Sequence, residues 1–240
     1  MTKTHNTENF PVASLLLAKK VRAQVLAFYH FARKADDIAD DPDLSAQEKL
    51  NKLDIQTQSP FQADLLQAFR QDCTKSRYQT YQELLDYCTH SANPVGRFLL
   101  DVHNEETGFE ASDALCTALQ ILNHLQDCQK DFLQLNRIYL PADFLKGPEN
   151  YEELLKKDKC TPAFRGVLDQ LLDETEKLIR TAAALPQMIK NKRLRYQAKL
   201  TYLCAVALAS KLRKNDPLAM RVELTKLDKL LIAYRGLYPL

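Results

Sequence analysis

Four aspartates fall within six positions of FYHFARKADDIADD, residues 28–41: Asp36, Asp37, Asp40 and Asp41, directly after Arg33 and Lys34. On a helix of 3.6 residues per turn, Tyr29, Arg33, Asp36 and Asp40 lie at i, i+4, i+7 and i+11 and form one stripe. Asp37 sits beside it, with Phe28, Phe31 and Ala35 on the flanks. Like charges one turn apart are mildly destabilising. Several carboxylates together cost more unless a cation lies between them. Taken alone, the stretch is equally well explained as a wet surface on which Arg33 pairs with Asp36 or Asp37.

A second stretch shifts that balance. In LQILNHLQDCQKDFLQLNRIYLP, residues 119–141, Asn123, Asp127 and Asp131 follow at i, i+4 and i+8, with Gln120 just N-terminal to the stripe. Leu119, Leu122, Leu125 and Phe132 lie around it. Two oxygen-bearing stripes on apolar helices, facing one another across a bundle, suit a hard divalent cation such as Mg²⁺. Mg²⁺ usually completes its octahedron with water and substrate phosphate, and Arg33, Lys34 and Arg137 can donate to such a phosphate. The pattern predicts a magnesium–diphosphate site. A di-iron bundle would need Glu-x-x-His pairs, and there are none. The five histidines (5, 30, 90, 103, 124) lack zinc spacing; His30 and His124 adjoin the stripes and read as residues that pack or support a ligand rather than as ligands themselves.

The elements that must position these stripes are helices. Apolar residues recur at three and four positions nearly everywhere, which predicts helices over 11–35 (running on to about 41), 45–55, 60–71, 78–90, 93–103, 111–135, 141–145, 151–157, 161–185, 191–213 and 217–235. Ser45 with Glu48 has the form of a capping box, and Ser112 or Asp113 is a candidate cap for the long helix that follows. Only five glycines occur in 240 residues, too few for the turns of sandwiches and barrels. The expectation is a single all-α domain over 1–240 with one core.

The bulk properties exclude several functions. A net charge of +2 without a basic, aromatic-interleaved patch argues against nucleic acid as a partner. Six scattered cysteines without a C-x-x-C pair or an apolar leader point to reduced thiols and a cytoplasmic setting. No run is long and apolar enough for a spanning helix, which leaves peripheral contact with a membrane surface open.

At this point the chain resembles the squalene and phytoene synthase family, the head-to-head trans-isoprenyl diphosphate synthases. FYHFARKADDIADD is similar to the family's first aspartate motif, and LNHLQDCQKDFLQLNRIYLP to the second with its trailing Arg-x-Tyr. YCTHSANPVGRFLL (87–100) resembles the segment in which Gly96 allows close helix approach. ENFPVAS (8–14) and SANPVGR together resemble the hydroxysqualene synthases of bacterial hopanoid pathways.

The resemblance implies an isoprenoid synthase bundle with a central apolar cavity. It implies Mg²⁺, two or three ions, held by Asp36, Asp40, Asn123, Asp127 and Asp131, with Asp37 and Asp41 close by. Arg33 and Arg137 would bind diphosphate, while Tyr29, Gln120 and Tyr139 would line the head-group region. The implied substrate is presqualene diphosphate, an isoprenoid diphosphate supplied by a presqualene diphosphate synthase. Capture of its cation by water gives hydroxysqualene, with no NADPH expected. The alternative is condensation of two farnesyl or geranylgeranyl diphosphates to presqualene diphosphate, squalene or phytoene. A scaffold that has lost activity is the rival outside enzymes, and the intact aspartates argue against it. Tyr29, Asp37 and Asn93 are the candidates to orient the quenching water. The chain departs from the family where Gln126 replaces an arginine, where Asn9 replaces a serine, and where AYRGLYPL replaces a basic ending.

Overall fold

Helix follows helix through the computed structural model, which describes residues 18–238. The order is α1 (Lys19–Asp40), α2 (Ala46–Lys52), α3 (Pro60–Asp72), α4 (Tyr81–Ser91), α5 (Asn93–Asp101), α6 (Phe109–Leu135), α7 (Tyr151–Leu154), α8 (Pro162–Ala182), α9 (Leu185–Met188), α10 (Lys192–Lys214) and α11 (Lys226–Gly236). Among the described residues the only extended pairing is an isolated parallel bridge between Arg77 and Ile138. ENFPVAS and the start of the expected first helix lie outside the described residues.

Local chemistry sets most starts. Ser45 and Glu48 form the capping box of α2, accepting from each other's backbone N–H. Ser59, Thr80 and Thr161 cap α3, α4 and α8 through their hydroxyls, with Pro60 and Pro162 in the first turn. The long helix α6 begins earlier than expected. Gly108, with φ of 87°, turns the chain into it, while Ser112 and Asp113 lie inside, Asp113 bound to Arg97 at 2.6 Å.

Three other expectations are corrected. The helix expected over 78–90 starts only at Tyr81; before it, Ser76, Tyr78 and Gln79 accept backbone bonds from Ile138, Ala142 and Asp143. The helix expected over 161–185 stops at Ala182, and Leu185-Pro186 opens the separate turn of α9. The helix expected over 217–235 starts only at Lys226, where Thr225 and Asp228 form a second capping box. Leu218, Val222 and Leu224 are each buried from a loop, which is why their spacing imitates a helix.

Helix α6 runs through the centre, packed on α8, α5, α10 and α4, while α1 lies on α3 and α11 on α10. Ile121, Leu122 and Leu125 of α6 are at most 1% exposed. Gly96 lets α5 approach α6: a Cβ there would collide with Ser112 Oγ and lie 2.7 Å from Cys116 Sγ. Gly96→Ala is expected to cost about 1–3 kcal/mol through overpacking, although alanine gains up to ~1 kcal/mol in helix propensity. Urea unfolding measures this; an unchanged midpoint would mean that the helices separate freely.

Candidate active site

The rotation of α1 is fixed by its smallest side chains. Ala35 and Ala39, both 0% exposed, seat the helix in a cluster with Leu53 of the α2 end and Leu66 of α3. Burying that edge sends Tyr29, Ala32, Asp36 and Asp40 to one flank and His30, Lys34, Asp37 and Asp41 to the other.

The first flank meets a cavity of about 210 Å³. Its α1 wall is Val25, Phe28, Tyr29 and Ala32, and its α6 wall includes Leu115, Leu119, Gln120 and Asn123. Asp36 follows Ala32 by four residues, and Asp127 follows Asn123 by four. Each therefore stands one turn, ~5.4 Å, beyond the cavity lining. The two stripes leave the cavity along the C-terminal ends of α1 and α6. Arg137, just past α6, ties these ends together. Its Nη1 donates to Asp40 Oδ1 at 2.5 Å and its Nη2 to the Ala39 carbonyl at 2.8 Å.

Arg33 lies between the two flanks. It donates to Asp36 at 2.7 Å and to Asp37 at 2.5 Å, so one guanidinium offsets two neighbouring carboxylates. Its Nε is buried with no hydrogen-bond partner among the described residues. Asp37 is exposed and lines an open outer groove with His30, Lys34 and Asp41, away from the cavity. Asn93 is buried and accepts from Thr117 at 2.9 Å, a packing contact between α5 and α6. Of the three groups considered for orienting water, Tyr29 is the one on the cavity wall.

Behind the stripes is a polar network that the sequence does not announce. Asp72, the last residue of α3, accepts from Tyr87 and Tyr139 hydroxyls, each at 2.8 Å. Its backbone carbonyl accepts from Arg137 Nε at 3.2 Å. Arg137 is 6% exposed with bonds from Nε, Nη1 and Nη2, so in this structure it is a clamp on Asp40 rather than an open donor. Tyr139 is likewise buried; its ring stacks on His124 at 3.7 Å, and it does not line the cavity. His124 in turn meets Gln120 at 3.1 Å and lies 3.8 Å from Asp131. An aspartate closing a helix opposes the macrodipole, the one sequence signal that could have marked Asp72.

Burial pushes the Asp72 carboxyl up from 3.8 to about 6, against the opposing pull of Arg137 and the two tyrosines. The fold thus holds this proton more tightly than the unfolded chain does. The resulting stabilisation is full below pH 3.8 and lost as pH rises through about 6. At ~1.4 kcal/mol per pH unit the loss amounts to about 3 kcal/mol. Urea unfolding between pH 4 and 7 should show this slope in the parent and not in Asp72→Asn. Equal slopes would refute it.

Asp36, Asp40, Asn123, Asp127 and Asp131 offer only carboxylate and amide oxygens, the donors of a hard cation. Among the described residues no three acidic, histidine or cysteine side chains converge into a metal cage. The set fits an ion that takes the rest of its shell from a phosphate ligand and water.

An all-helical bundle, apolar within and bordered by carboxylates along one end of its cavity, has the architecture of the isoprenoid synthases. The squalene/phytoene synthase family model matches residues 3–64 and 55–228, and the chain belongs to that family. It is 42% identical to the hydroxysqualene synthase of Sinorhizobium fredii over 95% of this chain and 87% of that one. With the hydroxysqualene synthase of Rhodopseudomonas palustris the identity is 41%, over 97% and 88%. The crystal structure of squalene synthase HpnC from Alicyclobacillus acidocaldarius superposes with a TM-score of 0.73 at 27% identity, covering 88% of this chain and 90% of that one.

Proposed function

We propose that the chain converts presqualene diphosphate and water to hydroxysqualene and diphosphate in a Mg²⁺-dependent reaction. The observation that carries this reading is the common cavity: Ala32, one turn before Asp36, and Asn123, one turn before Asp127, both line it, and Arg137, just past α6, holds Asp40 at the end of α1. The likeness to hydroxysqualene synthases supports this product over the condensation products.

Asp36, Asp40, Asn123, Asp127 and Asp131 would hold Mg²⁺, which neutralises charge on the departing diphosphate. Arg33 keeps its Nε for a phosphate oxygen while its other nitrogens hold Asp36 and Asp37 apart. When the C–O bond breaks, its electron pair leaves with diphosphate and the cation remains in the cavity. Phe28, stacked on Phe98 at 4.1 Å, and Leu115 and Leu119 form walls without a nucleophile, and the ring faces favour a cation. Tyr29, Gln120 and Asn123 place a hydroxyl and two amides on the same lining, where water can be held. Water adds to the cation and gives up a proton to form the alcohol, so no hydride donor is needed. A presqualene diphosphate synthase would supply the substrate.

Incubation with presqualene diphosphate and Mg²⁺ but without NADPH, followed by mass analysis of the lipid extract, tests this. Hydroxysqualene is expected. Turnover of farnesyl diphosphate to presqualene diphosphate or squalene, with presqualene diphosphate left intact, would replace the reading with the condensation reaction.

A further inference from the structure

Helix α11 carries its apolar stripe on the wrong side for a core. Ile232 packs inward and Gly236 is buried against α10, where a Cβ would lie 2.6 Å from Leu200 Cδ2. Asp228, on the same side, binds Lys211 at 2.8 Å. The opposite arc is Leu227, Leu230, Leu231, Tyr234, Leu237 and Tyr238, which are 51–71% exposed. These positions follow the three- and four-residue spacing of a single helix face continued into the next turn. Lys226 and Lys229 border that face on one edge and Arg235 on the other, and all three are exposed. Among the described residues no helix is long and apolar enough to cross a membrane.

We propose that α11 docks the protein on the surface of an anionic lipid bilayer, lying in the headgroup boundary with its leucines toward the acyl chains. The chemistry is that of an interfacial amphipathic helix: an apolar face, tyrosines suited to the boundary, and cations placed to meet anionic headgroups. The capping box at Thr225 and the packing on α10 form the helix in advance, so binding need not order it. A second copy fits this face poorly. Its own Lys226, Lys229 and Arg235 would confront their counterparts. The inference stands on α11 alone and holds whichever isoprenoid the cavity turns over.

Vesicles of equal parts phosphatidylglycerol and phosphatidylcholine are the probe, with the full chain. The sequence has no tryptophan, so Tyr234→Trp supplies a single emitter on the proposed face. The parent should sediment with these vesicles and be released by salt, as a partly electrostatic contact requires. Emission from the Tyr234→Trp variant should shift to the blue and be quenched by brominated acyl chains. Leu230→Ser combined with Leu231→Ser should weaken binding about tenfold or more, since each leucine leaves an apolar phase. That variant should keep the parent's melting temperature and its turnover of detergent-dispersed substrate, which separates docking from catalysis. Failure of the parent to bind, an unshifted emission, or equal binding by the double variant would overturn the proposal. So would a parent dimer in sedimentation that the double variant dissolves, since the face would then belong to a second copy.

Discussion

Asp127→Asn and Asp36→Asn are each expected to lower turnover on the order of 10²–10³-fold, the scale on which removing one preorganised charge from a transition state is felt. The argument rests on position. Each residue is half-buried one turn beyond the cavity lining, one on either helix, where a diphosphate leaving group and its cations would sit. An amide preserves the shape and one oxygen but removes the charge that draws a divalent ion. Stability should not follow activity. Each stripe carries like charges one turn apart, so neutralising one relieves a repulsion of a few tenths of a kcal/mol, which at Asp36 is set against a weakened bond from Arg33 that the amide oxygen of asparagine still accepts. Single-turnover rates, read beside melting curves, check both halves. Rates like the parent's would remove these residues from the chemistry, and a collapsed melting temperature would make them structural.

Substitution of Arg137 should act in the opposite sense, on the fold before the chemistry. Arg137→Ala leaves the Ala39 and Asp72 carbonyls without their donor, Asp40 without its partner and the buried Asp72 carboxyl without a nearby cation. Breaking a buried pair in this way costs about 3–5 kcal/mol. For a chain of this length that corresponds to a fall of roughly 6–20 °C in melting temperature. Arg137→Lys should recover little, because an ammonium cannot reproduce three bonds from a planar fork. Calorimetry decides: a melting temperature within a degree or two of the parent would show that the clamp contributes nothing.

The two stripes are legible in the sequence because they are local. Spacing of three and four residues puts Asp36 with Asp40, and Asn123 with Asp127 and Asp131, on common faces whatever the tertiary fold. The cap at Ser45–Glu48 is legible for the same reason, being written in neighbouring residues, while the close approach at Gly96 is legible only through the family resemblance. What stays hidden depends on distant partners. Asp72 meets Tyr139 across 67 positions, and no periodicity encodes that contact. Arg137 reads as a diphosphate donor because its type suits one, and Tyr139 as a neighbour of the head group through the family resemblance, yet burial turns both toward Asp72. Gln126, a departure from the family pattern, donates to the Val222 carbonyl at 2.5 Å and holds the loop whose spacing imitates a helix. The leucines of α11 look like core because hydropathy cannot tell an inward face from an outward one.

The bond between Asp40 and Arg137 joins positions 97 apart in the chain. Closing so large a loop costs conformational entropy, so this contact is expected to form after the more local packing of α2 to α5. A contact made that late weighs on the unfolding rate more than on the folding rate. Arg137 is thus expected to act as a kinetic latch, its loss speeding unfolding more than it slows folding.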